Sequence, residues 1–155
     1  LCNSLISCYS SIISMKRKKT IMVFGTFDFF HAGHLSFLEQ ARQHGDHLTV
    51  VVARDKTATL VKGEKPIHTA EERMKILEHI DIIDEVTLGG EKDVYAIIRE
   101  LKPNVIVLGY DQRGFAHNLK RIMRQFGLEI EVVRAKPYRP KSRKSGVIKK
   151  KLGLL

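Results

Sequence analysis

The chain has 155 residues, of which 43% are hydrophobic and 28% are charged. This length and composition predict one globular domain with a self-sufficient core, which excludes a disordered segment and an assembly of several domains. No stretch reaches the ~18 consecutive apolar residues of a membrane-spanning helix, so the sequence predicts a soluble protein.

The net charge of +10 is concentrated at the two ends of the chain. Residues 16–19 are all basic, and the sequence from Arg134 onward holds nine basic residues and no acidic one. Basic ends can bind nucleic acid or an anionic surface, and they can equally attract a phosphate-rich small substrate. The charge alone therefore leaves the partner open.

The first 14 residues carry no charge and contain both cysteines, Cys2 and Cys8. The rest of the chain has none, so neither disulfide bonds nor a thiolate metal site is expected to support the fold. We predict that residues 1–19 are an N-terminal extension, with Met15 as the natural start, and that residues 20–155 form the domain with a basic C-terminal helix or tail. The lead lacks the basic n-region of a secretory signal, which favours a cytoplasmic location.

Strands and helices alternate from Thr20 onward. TIMVFGT predicts a strand, HLSFLEQARQHG a helix ending at Gly45, and HLTVVVAR a second strand. EERMKILEHI predicts a helix with Thr69 and Glu72 as its capping box, and DEVTLG a third strand. DVYAIIRELK, NVIVLGY, AHNLKRIMRQFG and LEIEVVR then predict a helix, a strand, a helix and a strand.

This alternation predicts a single doubly wound α/β domain, Rossmann-like, with a five-stranded parallel sheet. Ligands of such sheets bind beyond the carboxyl ends of the strands, near the point where the strand order reverses. The loops after Gly25, Ala53, Gly89 and Gly109 are therefore the candidate site.

The loop after the first strand reads GTFDFFHAGH and spans residues 25–34. A helix N-terminus favours phosphate, and His31 and His34 add donors that can follow charge as it develops on a phosphoryl group. Neither Gly-x-x-x-x-Gly-Lys-Ser/Thr nor Gly-x-Gly-x-x-Gly occurs in the chain. The loop predicts a phosphate-handling turn of another kind. A zinc site is disfavoured, because two histidines at this spacing have no cysteine or third ligand near them.

GTFDFFHAGH resembles the TFDxxHxGH hallmark of the cytidylyltransferase-like nucleotidyltransferases, which join a nucleoside monophosphate to a phosphorylated acceptor and release pyrophosphate. The resemblance covers about residues 20–148 and includes ARDKTATLVKGEKP, TAEERMKILEHIDIIDEV and LGYDQ. ARD and GYDQ are most similar to archaeal-type FAD synthases, which transfer an adenylyl group from ATP to FMN. The resemblance therefore implies a nucleotidyltransferase of the HxGH type.

The same resemblance implies the site residues. His31, His34 and Lys62 are expected to be catalytic, with Lys65 as a second candidate lysine. The residues expected to bind the nucleotide are Gly25, Thr26, Phe27, Asp28, Gly33, Arg73, Gly109, Tyr110, Asp111 and Ser145. Asp28 is expected either to orient an imidazole or to bind a metal-water shell. Mg²⁺ is expected on the phosphates of the nucleotide and not in a protein cage.

One segment departs from the family pattern. Relatives close their site with an ISTT-type segment, whereas KSRKSGVIKK at residues 141–150 offers hydroxyls only at Ser142 and Ser145. Its lysines and Arg143 are expected to act on the triphosphate electrostatically.

Several of these residues have plain structural alternatives. Lys62 and Lys65 lie in a turn where solvated lysines are common, and Arg73 can pair with carboxylates on its own helix. Asp111 can be an ordinary turn residue, and Tyr110 can pack without touching a base.

Two other functions are open. A CTP-dependent cytidylyltransferase acting on glycerol 3-phosphate or a similar molecule would use the same residues. A non-catalytic nucleic-acid-binding module would use the basic tail, but aromatic residues make up only 7% of the chain and the tail has Tyr138 alone as a stacking group. The sequence therefore disfavours nucleic acid and membrane partners, and it leaves a homodimer possible.

Overall fold

The computed structural model describes residues 18–139 and 145–153. The predicted extension over residues 1–19 lies almost wholly outside this range, as do the first four residues of KSRKSGVIKK. Within the described residues, no helix combines the length and the apolar character that crossing a bilayer requires.

Five strands and six helices are present in the described part of the chain. The strands are β1 Thr20–Gly25, β2 His47–Val52, β3 Glu85–Leu88, β4 Val105–Leu108 and β5 Glu131–Arg134. The helices are α1 Ala32–Arg42, α2 Asp55–Lys62, α3 Ala70–Leu77, α4 Ala96–Leu101, α5 Arg113–Phe126 and α6 Ser145–Lys151.

The strands form one parallel sheet in the order β3-β2-β1-β4-β5. Because β1 pairs with both β2 and β4, the direction of winding reverses between β1 and β4. This order confirms the predicted doubly wound domain with five parallel strands. It also places the loop after β1 at the crevice where such sheets bind ligands.

Two apolar layers cover the sheet. Ile21 and Val23 of β1 face a cluster that includes Leu38 of α1, whereas Met22 and Phe24 face the opposite cluster. Burial on both faces explains why the central strands β1 and β4 are continuous apolar runs and do not alternate with polar residues.

The helix ends follow local signals. The predicted capping box of α3 is present, with Glu72 N–H donating to Thr69 Oγ1 (3.3 Å) and Thr69 N–H donating to Glu72 Oε2 (2.8 Å). Gly127 ends α5 at φ +60°, a conformation that glycine adopts without strain. Helix α2 was not predicted, because Arg54 makes no side-chain cap there and two threonines weaken its helical pattern.

Candidate active site

His31 and His34 together cap the N-terminus of α1. The Nδ1 atom of His31 accepts a hydrogen bond from the backbone N–H of Gly33 (3.0 Å), and Nδ1 of His34 accepts one from the N–H of His31 (3.4 Å). The rings are stacked with their centroids 4.0 Å apart. Because each Nδ1 is an acceptor, each neutral ring carries its proton on Nε2. The cap therefore fixes two imidazoles as Nε2–H donors.

Burial keeps both histidines neutral. It lowers the pKa of His34 to about 3, with further lowering from His31 and Lys62 and a smaller opposing effect from Asp28. Burial and the charge of Lys62 also lower the pKa of His31. The pair thus supplies hydrogen-bond donors at neutral pH without two positive charges.

The low pKa of His34 makes stability depend on pH. Between pH 6.5 and about 3 the unfolded chain binds a proton at this histidine that the folded chain does not, so the free energy of unfolding falls as the pH is lowered through this window. Urea unfolding at pH 6.5 and pH 4.5 measures the loss. We expect a smaller loss in His34→Asn, whose side chain does not titrate, and an equal loss in both proteins would contradict the assignment.

Lys62 ends α2 beside the two histidines. Desolvation lowers its pKa below the ordinary value, and the charge of Lys149 lowers it further. The carboxylates that act in the opposite direction are Asp28, Glu64 and Asp111. Lys62 thus interacts electrostatically with both histidines and with Asp111 of the loop after β4.

Asp28 is 1% exposed and is held by the protein on both oxygens. The backbone N–H groups of Ile67 and His68 donate to Oδ2 (3.0 Å) and Oδ1 (3.1 Å), and Nζ of Lys149 lies 2.9 Å from Oδ2. Burial would raise the pKa of Asp28, but these bonds hold it well below its ordinary range. Nδ1 of His68 lies 3.2 Å from Oδ1 of Asp28. Asp28 therefore fixes the segment before α3.

The side chain of Arg73 is buried and does not line the surface of the site. It donates to the carbonyl oxygens of Thr26 (2.5 Å), Ala53 (2.8 Å) and His68 (3.1 Å). It also donates to Asp55 Oδ1 (2.6 Å). These four contacts join the loops after β1 and β2 to α3. They favour a structural role for Arg73 over the expected phosphate contact.

Phe27 is likewise packed inside the loop. It is 3% exposed at φ +53°, and its ring centroid lies 5.4 Å from that of His34. A Cβ atom on Gly25 would come within 2.6 Å of this ring, so glycine is required there. The Phe27 ring packs against the ring of His34, while Gly25 and Thr26 supply backbone at the end of β1.

The loop after β4 closes the other side of the crevice. Gln112 accepts from the N–H of Gly109 at Oε1 (2.8 Å) and donates from Nε2 to the carbonyl of Phe24 in β1 (2.8 Å). Arg134 donates to the carbonyls of Gly109 (2.8 Å) and Tyr110 (3.3 Å). This loop, which includes Asp111, is therefore fixed against β1.

The remaining predicted residues lie in three different parts of the chain. Gly33 is in the first turn of α1, and Ser145 is the first residue of α6. Lys65 lines a shallow surface groove of about 380 Å³ beside α2, together with Thr59 and Leu60. In the described residues no group of three or more His, Cys, Asp or Glu side chains could hold a metal ion.

The structure gives two residues roles that the sequence does not predict. Lys149 is expected from the sequence only as one of the lysines of KSRKSGVIKK that act on the triphosphate, and nothing separates it from its neighbours. Gln112 is the last residue of GYDQ, so its position was noticed, but its role depends on the nearness of β1.

This chain is similar to several known proteins. A family model described as cytidylyltransferase-like matches residues 22–150. An FAD synthase of Pyrococcus horikoshii is 43% identical over 123 residues, which are 79% of this chain and 82% of the relative. An FAD synthase of Methanosarcina barkeri is 44% identical over 114 residues, which are 74% and 81% of the two chains. The crystal structure of a lipopolysaccharide core biosynthesis protein from Thermoplasma volcanium superposes with a TM-score of 0.73 at 35% identity, covering 78% of this chain and 98% of that one.

Proposed function

This chain belongs to the cytidylyltransferase-like family of nucleotidyltransferases, and we propose that it transfers AMP from ATP to FMN, giving FAD and pyrophosphate. The single observation that carries the chemistry is the pair of neutral, backbone-fixed imidazoles at the start of α1. The FAD synthase names of relatives above 40% identity support the choice of donor and acceptor.

The reaction is an in-line displacement at the α-phosphorus of ATP. An oxygen of the FMN phosphate forms the new P–O bond, and the bond to the oxygen that bridges the α- and β-phosphates breaks. Negative charge moves onto pyrophosphate, so the protein must align the reactants and stabilise that charge. The FMN phosphate is ionised at neutral pH and therefore needs no general base.

His31 and His34 suit this task because their donors are already oriented. Each Nδ1 is fixed by a backbone amide, so each Nε2–H can donate to a phosphate oxygen without first changing tautomer. Lys62 adds a positive charge on the same side, whereas Asp111 and the fixed loop after β4 are proposed to border the nucleotide.

The side chains fit Mg²⁺ that arrives with the nucleotide. The carboxylate of Asp28 is already bonded to Ile67, His68 and Lys149, which leaves it poorly suited to bind the metal-water shell that the sequence suggested. Mg²⁺ bound mainly by phosphate oxygens and water would offset charge on the triphosphate. We also propose that the protein acts in the cytoplasm, where ATP and FMN are available; a homodimer stays a prediction.

Pyrophosphate release with Mg²⁺ tests the function. ATP and CTP are each combined with FMN and with glycerol 3-phosphate, and the products are identified by chromatography. We expect product only from the pair of ATP and FMN, and this product should be FAD. We expect no turnover in the presence of EDTA. CDP-glycerol as the product would replace the proposed substrates, and no turnover with any of the four pairs would contradict the proposal.

A further inference from the structure

We propose that Lys149 of α6 is a positioning residue, which ties the last described helix to the histidine loop through Asp28 and balances charge beside the phosphate site. Its catalytic consequence rests on the proposed function. The contact between Lys149 and Asp28 can be tested even if the proposed function is wrong.

Lys149 differs from its neighbours in burial. It is 3% exposed, whereas Lys150 and Lys151 are exposed on the same helix. Its Nζ lies 2.9 Å from Asp28 Oδ2 and 3.3 Å from Glu64 Oε1. One buried ammonium thus bridges a carboxylate of the loop after β1 and a carboxylate of the loop after α2.

Burial of this ammonium is costly, so the contact needs a reason beyond packing. An apolar side chain of similar length would fill the same space without losing hydration. Asp28, however, must stay ionised to accept from the backbone N–H groups of Ile67 and His68 with both oxygens. Lys149 offsets the charge that this arrangement requires.

The contact reaches the phosphate site in two ways. Asp28 lies in the loop 25–34, three residues before His31, so its position bears on the histidine cap. Its charge and that of Glu64 also act on Lys62, the lysine beside both histidines. Without Lys149 the negative charge of Asp28 and Glu64 would be less fully neutralised, and this charge would repel a triphosphate.

The test compares Lys149→Gln with Lys150→Gln, which changes the exposed neighbour in the same way. We expect the KM for ATP to rise on the order of tenfold in Lys149→Gln, with a smaller change in kcat, because the added net negative charge weakens nucleotide binding. A merely structural role would lower kcat through a smaller folded fraction and leave KM unchanged. Lys149→Arg, which keeps the charge, is expected to keep the KM of the parent protein.

Amide hydrogen exchange of Ile67 and His68 gives a second readout, independent of catalysis. We expect faster exchange at both amides in Lys149→Gln than in Lys150→Gln. Equal exchange and equal KM in the two variants would overturn the proposal. If Lys149→Gln does not fold, Lys149→Arg decides, and a KM for ATP raised on the order of tenfold there would overturn the role of the charge. If the parent protein makes no FAD, the proposed function fails, and exchange at Ile67 and His68 still decides whether Lys149 holds the loop.

Discussion

Replacing His34 with asparagine lowers kcat for adenylyl transfer by about 10²–10³-fold, the usual loss for one preorganised donor to a developing charge. The Asn side-chain oxygen can still accept the backbone N–H of His31, as Nδ1 does in the parent protein at 3.4 Å. The Nε2–H donor is absent, so the change removes the catalytic contact while it spares the helix cap. Steady-state pyrophosphate release with saturating ATP and FMN measures the effect.

His117→Asn is the matched control, because His117 lies exposed on α5. We expect its kcat to stay within about twofold of the parent value, since surface substitutions away from a site have small effects. Circular dichroism should show both variants folded. A His34→Asn enzyme that turns over as fast as the His117→Asn enzyme would remove the histidine from the mechanism.

Replacing Arg73 with leucine lowers the free energy of unfolding by roughly 3–5 kcal/mol, the range observed when one partner of a buried ionic network is removed. The carbonyls of Thr26, Ala53 and His68 would each lose a charged donor inside the protein. An unsatisfied buried acceptor costs about 1–3 kcal/mol, so several together account for an effect of this size. Urea unfolding followed by circular dichroism measures the change.

Lys75→Leu serves as the comparison, because Lys75 is exposed on the same helix α3. Its effect on stability is expected to stay within about 0.5 kcal/mol. If Arg73→Leu were as stable as Lys75→Leu but had a raised KM for ATP, Arg73 would contact phosphate after all. The structural assignment would then be incorrect.

Most of the fold could be predicted from local patterns. Strands β1, β2 and β4 are short runs buried on both faces, whereas the edge strands β3 and β5 are only partly buried. Thr69 marks the start of α3 and Gly127 the end of α5 through local backbone chemistry. Helix α2 could not be predicted in this way. It has no side-chain N-cap, and it exposes Leu60 and Val61, so its apolar residues do not mark a buried face.

The site residues also differ in whether local sequence patterns predict them. His31 and His34 could be predicted because the whole motif lies within ten residues, and the structure shows the pair joined by its own helix cap. The burial of Arg73 and Lys149 could not, because their partners come from loops distant in sequence. A charged residue in a sequence is usually solvated, and only the folded chain shows where a buried acceptor requires its charge.

The link between Asp28 and Lys149 also bears on the order of events during protein synthesis. Asp28 follows β1, and Lys149 lies in α6, which comes after all five strands of the described residues. Until α6 emerges, the carboxylate of Asp28 in the loop after β1 does not have the ammonium of Lys149 beside it. Contacts of such long sequence separation form late, because loop closure must come first. The growing chain is therefore expected to complete the charge balance of its phosphate site only in the last stage of folding.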